Sequence, residues 1–161
     1  MAVDSIPDVD IVDRVWLDVD GRFVALHVLE LGLACCGVEV REARRLAEAA
    51  GVIRDPGALH VAPAGSATTV VNEPDLHVLV VAGTVTVQLA SALRAAFDAI
   101  PEPRAVLAFG ACAATGGPYW DSYSVLPGAH ELVPVHAWVA GCPPRPADLM
   151  AGLAEVLRGR G

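Results

Sequence analysis

The stretch DLHVLVVAGTV, residues 75–85, is an almost unbroken apolar run. A strand with one face in water alternates apolar and polar side chains. A short run without that alternation fits a strand covered on both faces, as in a parallel sheet flanked by helices. The segments on either side agree. TVQLASALRAAFDAIPEP follows, with Thr86 placed to cap a helix over 87–99 and Pro101 to end it. RAVLAFGAC, 104–112, is a second buried strand. AATGGPYWDSYSVLPGA reads as a long loop, and ELVPVHAWVAGC, 131–142, as a third strand. PPRPADLMAGLAEVLRGRG closes the chain with a helix over 146–157, where Pro is tolerated in the first turn because its missing N–H has no partner there.

Toward the amino terminus, residues 52–74 carry Pro, Gly and mixed signals and read as loop with a short strand. EVREARRLAEAAG, 39–51, is an amphipathic helix: Val40, Ala43, Leu46, Ala47 and Ala50 share one face, and Gly51 stops it. RVWLDVDGRFVALHVLELG predicts two strands, 15–19 and 23–29, hinged at the Asp20-Gly21 turn signal. Residues 1–12 read as a loose acidic tail, 13–158 as a single domain without repeats or linkers, and 159–161 as a C-terminal tail. Strands alternating with helices predict an α/β fold, flavodoxin-like, with a parallel sheet and helices on both faces.

Composition narrows the function. The chain has 161 residues, is 54% apolar and carries a formal charge of -8. An acidic chain with few aromatic residues and no large Arg cluster is unsuited to nucleic acid, whose phosphates call for a basic patch. Asp18, Asp20, Arg22, Glu30, Glu39 and Asp75 interrupt every apolar stretch before the roughly 20 residues that a membrane span needs. The start, MAVDSIPDVD, has no basic-then-apolar layout. These points predict a cytoplasmic protein whose apolar excess is a buried sheet or a partner surface. GACAATGG has the glycines but not the Lys-Ser/Thr of a phosphate loop. Neither a serine elbow nor paired catalytic carboxylates occur, and no residue is assigned a catalytic role.

The chemistry concentrates in four cysteines. In a reducing compartment they are thiols rather than a disulfide framework. Cys35 and Cys36 follow the strand at 23–29, Cys112 follows the strand core at 106–109, and Cys142 follows the strand core at 133–139. The carboxyl ends of parallel strands lie along one edge, where ligands bind, so the four thiols are expected to meet there. Each has glycine beside it: Gly32 and Gly37, Gly110, Gly116 and Gly117, Gly141. Small backbone near the sulfurs suits a bulky group needing close N–H donors. Two blander readings stand beside this one. Any single cysteine is a common small core residue, and four thiols also suit zinc. Zinc sites, however, are usually built from C-x(2–4)-C knuckles, and none is present. Adjacent strand residues point to opposite faces, so Cys35 and Cys36 are expected in a distorted turn. A cluster with metal corners spread apart accommodates that more easily than one ion.

These residues carry a resemblance. GLACCGVE (32–39), AGTVT (82–86), IPEPRAVLAFGACAATGGPY (100–119), SYSVLPG (122–128) and VPVHAWVAGCPPRPADLMAGL (133–153) resemble the B subunit of respiratory complex I, the proton-pumping NADH–quinone oxidoreductase. The adjacent cysteines are the most specific element, since the related [NiFe]-hydrogenase small subunits have Cys-x-x-Cys there. The resemblance implies a flavodoxin-like domain in the peripheral arm. It implies that Cys35, Cys36, Cys112 and Cys142 hold one [4Fe-4S] cluster, flanked by Glu39, Gly83, Thr84 and Gly110. It also implies a ferredoxin-like subunit as electron donor, a large hydrogenase-like subunit forming a quinone pocket, membrane subunits beneath, and quinone as acceptor. The whole would sit on the cytoplasmic side of the cell membrane. A small subunit of an energy-converting [NiFe]-hydrogenase-like complex is the alternative, and a flavodoxin-like scaffold with structural or zinc-bound cysteines is a second.

The chain departs from the family pattern in several places. A Met pair usually follows the Glu of the first motif, where Val40 and Arg41 stand here. Asn-Lys-Met is replaced by Val87-Gln88-Leu89, and a basic segment before the central strand by the acidic VVNEPD. Glu39 is either a proton relay or cluster-tuning residue, as the resemblance suggests, or a helix-start carboxylate favoured by the dipole. Tyr119, Trp120 and Tyr123 line an acceptor pocket or pack on a partner. Arg104 either meets the ferredoxin-like subunit or is simply solvated, and the histidines His27, His77 and His136 read as structural.

Overall fold

The computed structural model of the chain describes residues 9–31, 35–54 and 73–159. Six strands, β1 (Val9–Val19), β2 (Arg22–Leu31), β3 (Ile53–Arg54), β4 (Leu76–Gly83), β5 (Arg104–Phe109) and β6 (Ala137–Val139), form one sheet in the order β3-β1-β2-β4-β5-β6. From β2 to β6 the pairing is parallel. β1 folds back antiparallel on β2 through the Asp20-Gly21 turn, and β3 adds antiparallel to β1. The expected parallel sheet is therefore the larger part of a mixed one, with an antiparallel hairpin at its edge.

β4 is buried along its whole length. Leu76, Val78, Val80 and Ala82 belong to one core, while Leu79 and Val81 belong to the other. This two-sided burial is why its sequence shows no alternation. On the first face lie α1 (Cys35–Ala49) and α4 (Pro146–Arg158), whose Val40, Ala43, Ala47, Leu149, Leu153 and Val156 fill that core. On the second lie α2 (Ala90–Ala99) and the short α3 (Ala111–Thr115), through Leu93, Ala96 and Ala113. Burying each large aliphatic side chain contributes about 1.5–3 kcal/mol. The sheet centre, where Leu29, Leu79, Leu93, Leu107 and Phe109 are fully buried, is the stable heart that holds the strand ends in place.

Several boundaries differ from expectation. β1 starts at Val9, paired with Leu31, so residues 9–12 are strand rather than tail; residues 1–8 lie outside the described residues. α1 begins four residues earlier than expected, at Cys35, and Leu46 is exposed rather than on the buried face. α2 starts at Ala90. Thr86 Oγ1 instead accepts the Leu89 N–H at 3.3 Å, closing the turn before the helix. β6 is only three residues long because Pro134, which has no N–H to give a ladder, interrupts the segment before it. The loop after Cys112 is α3 followed by two 3-10 turns, Gly117–Tyr119 and Ala129–Glu131. β3 is the short strand expected after Gly51, and the rest of the predicted loop, 55–72, lies outside the described residues.

Candidate metal centre

Register places the cysteines. Leu31 pairs with Gly83, Ala82 with Phe109, and Phe109 with Val139. The last residues of β2, β4, β5 and β6 thus form one row at the carboxyl edge of the sheet, and each cysteine comes just beyond it.

Cys35 and Cys36 open α1. They lie in a regular helical turn and not in the distorted turn expected for them. Successive helical residues diverge by about 100° rather than the 180° of a strand. Cys36 therefore turns inward, 1% exposed, while Cys35 stays exposed. Cys112 is the second residue of α3 and is buried. Cys142 follows Gly141 and is exposed. The site has a buried half, Cys36 and Cys112, and an open half, Cys35 and Cys142.

Backbone contacts tie these segments together. The Gly110 N–H donates to the Val139 carbonyl and the Ala111 N–H to the Gly141 carbonyl, both at 2.8 Å, so the turn bearing Cys112 is bonded to the turn bearing Cys142. Gly110 has φ 95°, and a β-carbon on it would collide with the Cys36 sulfur. A β-carbon on Gly117 would stand 2.9 Å from the Cys112 sulfur. Glycine at these two positions gives the sulfurs room and the loop its left-handed conformation. The four thiols also share one electrostatic environment. The Cys36 thiol is pushed up to about 12, first by burial, then by the charges of Cys35 and Cys112, by a hydrogen bond with Cys35, and by Cys142. Without a cation Cys36 keeps its proton, and metal binding at this edge must release it.

The other predicted residues fall as follows. Gly110 floors the site. Gly83, buried with φ 114°, ends β4 at the same edge, with Thr84 half-buried beyond it. Glu39 is half-buried on α1, one turn after Cys35 and on the same strip of the helix. Tyr119, Trp120 and Tyr123 are exposed just after Cys112. Arg104 lies at the opposite, amino-terminal end of β5. It pairs with Glu102 at 2.9 Å, donates to the carbonyls of Phe97 and Ile100 at the end of α2, and stacks 4.1 Å over the Phe97 ring. It is a C-terminal clasp for that helix, half-buried and at the end of the sheet away from the thiols. His27 and His77 are buried and hydrogen-bonded to each other at 3.0 Å, and His136 Nδ1 accepts the Val106 N–H.

One pair was not anticipated. Glu30, near the end of β2, is buried and accepts the Arg41 guanidinium at 3.0 and 2.5 Å. The signal was present: a lone carboxylate inside an apolar strand needs a partner, and Arg41 is the first cation after it.

Among the described residues no three His, Cys, Asp or Glu side chains are close enough to hold a single metal ion. The thiols meet instead around Cys36, on which Cys35, Cys112 and Cys142 all act electrostatically. A donor set of thiols alone, floored by glycine backbone where a side chain would fill the space, fits a cubane cluster, which takes one thiolate at each of four corners.

Residues 34–156 match the family described as NADH ubiquinone oxidoreductase, 20 Kd subunit. The chain is 43% identical over 137 residues to an NADH-quinone oxidoreductase B subunit of Salinispora tropica, the first of that organism's numbered forms, covering 84% of this chain and 66% of that one. It is 40% identical over 128 residues to the second B subunit of Symbiobacterium thermophilum, covering 80% and 64%. With the second B subunit of Streptomyces griseus the shares are 84% and 53%. The chain thus spans between about half and two-thirds of the length of these relatives. The solved structure of the membrane-bound sulfane sulfur reductase, an archaeal respiratory membrane complex, is 32% identical and covers 50% of this chain and 46% of its own, with a TM-score of 0.47. Among the described residues no helix is long and apolar enough to cross a membrane.

Proposed function

The chain belongs to the NADH–ubiquinone oxidoreductase 20 kDa subunit family, and on that premise we propose that it carries one [4Fe-4S] cluster on Cys35, Cys36, Cys112 and Cys142 and relays electrons within a complex I-like oxidoreductase. The observation that carries this reading is the meeting of the buried Cys36 with Gly110, at the turn that delivers Cys112 and is hydrogen-bonded to the turn of Cys142.

The cluster supplies one-electron chemistry at a potential set by its charge, its hydrogen bonds and its exposure. This chain's residues do the rest. Cys36 and Cys112 hold the inner corners away from water. Cys35 and Cys142 hold the outer corners, on the open side where electrons enter or leave. Gly110 and Gly117 keep the backbone close. Tyr119, Trp120 and Tyr123 present an apolar rim to a partner subunit. In this reading the donor is a ferredoxin-like subunit and the acceptor is quinone, held against a large hydrogenase-like subunit. Membrane subunits hold the assembly at the cytoplasmic face of the membrane, where this chain is peripheral. Glu39, on the Cys35 strip of α1, and Gly83 and Thr84, at the end of β4, flank the cluster.

Protein purified without oxygen is expected to be brown, with broad visible absorbance and about four irons per chain. Cys36→Ser should lose that absorbance. Colourless protein with one zinc per chain would overturn the proposal.

A further inference from the structure

The ion pair of Glu30 and Arg41 lies directly beneath the turn that bears the adjacent cysteines. Glu30 is 7% exposed. A β-carbon on Gly37, the residue after Cys36, would stand 3.1 Å from both Cδ and Oε2 of Glu30, so the missing side chain at Gly37 is what lets the carboxylate sit against the first turn of α1. Arg41, further along the same helix, reaches back and grips both oxygens through Nε and a terminal nitrogen. The end of β2 is thereby fastened to the start of α1 across the loop that joins them. A fork-to-fork pair of this kind fixes direction as well as distance.

We propose that Glu30 and Arg41 are positioning residues for the Cys35–Cys36 corner, and that together they set the electrostatic field in which the bound cluster is reduced. The inference rests on the cluster reading above. Reduction adds one negative charge to a centre already bearing four thiolates. A buried carboxylate behind two of those thiolates opposes it, and the guanidinium offsets that opposition. The two charges are unequal in effect. The Glu30 side chain is 8% exposed and the Arg41 side chain 61%, so water screens Arg41 more than Glu30. Removing the Glu30 charge takes a buried negative charge away from behind the thiolates, and removing the Arg41 charge leaves that carboxylate without its fork; removing both takes away two opposite charges whose effects partly cancel.

The test is a redox titration of the cluster's electron paramagnetic resonance signal in the full chain, purified without oxygen in whatever complex it forms, at pH 8. Glu30→Gln is expected to raise the midpoint potential and Arg41→Met to lower it, with the Glu30→Gln shift the larger. The double variant should fall between the two, near the sum of the two opposite shifts. Arg41→Lys, which keeps the charge and loses the fork, should stay near the parent potential. Unchanged potentials in Glu30→Gln and Arg41→Met, or shifts of the same sign, would overturn the inference. So would loss of the cluster from Arg41→Lys and Arg41→Met alike, since that would make the pair a packing element only. Absence of any cubane signal from the parent protein is a separate outcome, and it overturns the cluster assignment itself.

Discussion

At the residue scale, Gly110 is the most constrained position of the site. Its φ of 95° is open to glycine and costly for any other residue, on the order of 1–3 kcal/mol. A methyl group there would also enter the space of the Cys36 sulfur. Gly110→Ala is therefore expected to lower the stability of the metal-free chain by at least that amount and to reduce iron content together with it. Denaturant titration and iron analysis on the same preparation check both; a variant with parental iron and parental midpoint would show that the thiol site does not depend on this close approach. Cys36 makes the contrast with its neighbour plain. Two adjacent, chemically identical residues differ in exposure because a helix turns them about 100° apart, and nothing in the dipeptide itself says which one faces inward.

At the element scale, α4 is the helix that follows Cys142, and its start is tied by a cap from the Asp148 carboxylate. The Arg145 backbone N–H donates to Asp148 at 2.9 Å, and the Arg145 guanidinium reaches the same carboxylate. These bonds, the backbone one foremost, hold the Asp148 carboxyl below the usual carboxylate range. A group lowered in the folded state lends stability that is complete above its unfolded value, near 3.8, and is lost as pH falls through the folded value. Asp148→Ala should thus be less stable than the parent at neutral pH, and the difference should shrink below about pH 4. Thermal melts across pH 3 to 7 read this, and a difference independent of pH would refute the cap. The start of α4 was legible from Pro146 at the head of an apolar-periodic segment; the Asp148 cap was not read from the sequence. The opening of α1 at Cys35 was not, because residues 35–38 carry no strong helix signal. Their helical state comes from docking Cys36 and Val40 into the core and from the Glu30–Arg41 tie.

At the scale of the whole molecule, the carboxyl edge ends in exposed aromatic rings: Tyr123 is 100% exposed and Trp120 73%. Rings that contribute nothing to the chain's own core are the sort of residue that anchors a partner. Replacing both with Ala should change the unfolding free energy of the isolated chain by no more than about 0.5 kcal/mol, while co-purification of the large subunit proposed as its partner falls several-fold. Co-purification at the parental level would place the partner elsewhere. The -8 charge belongs to this scale too: it disfavours nucleic acid but says nothing of which protein surface is met.

The periodicity of the sequence alone determined the α/β class, the buried central strands and the hairpin at Asp20-Gly21, because local pattern follows directly from which faces a strand or helix must cover. The order of elements likewise put every cysteine just past a strand end. Residues such as Pro134, and the early start of β1, changed boundaries without changing that order. Only the tertiary structure decided that β3 adds antiparallel to β1, that Cys36 and Cys112 form the buried half of the thiol set, that Arg104 clasps α2, and that Glu30 is held by Arg41. Each of these depends on contacts between segments distant in the chain or on the rotation of one helix about its axis, and the free energy of such contacts is set by neighbours that no local window contains.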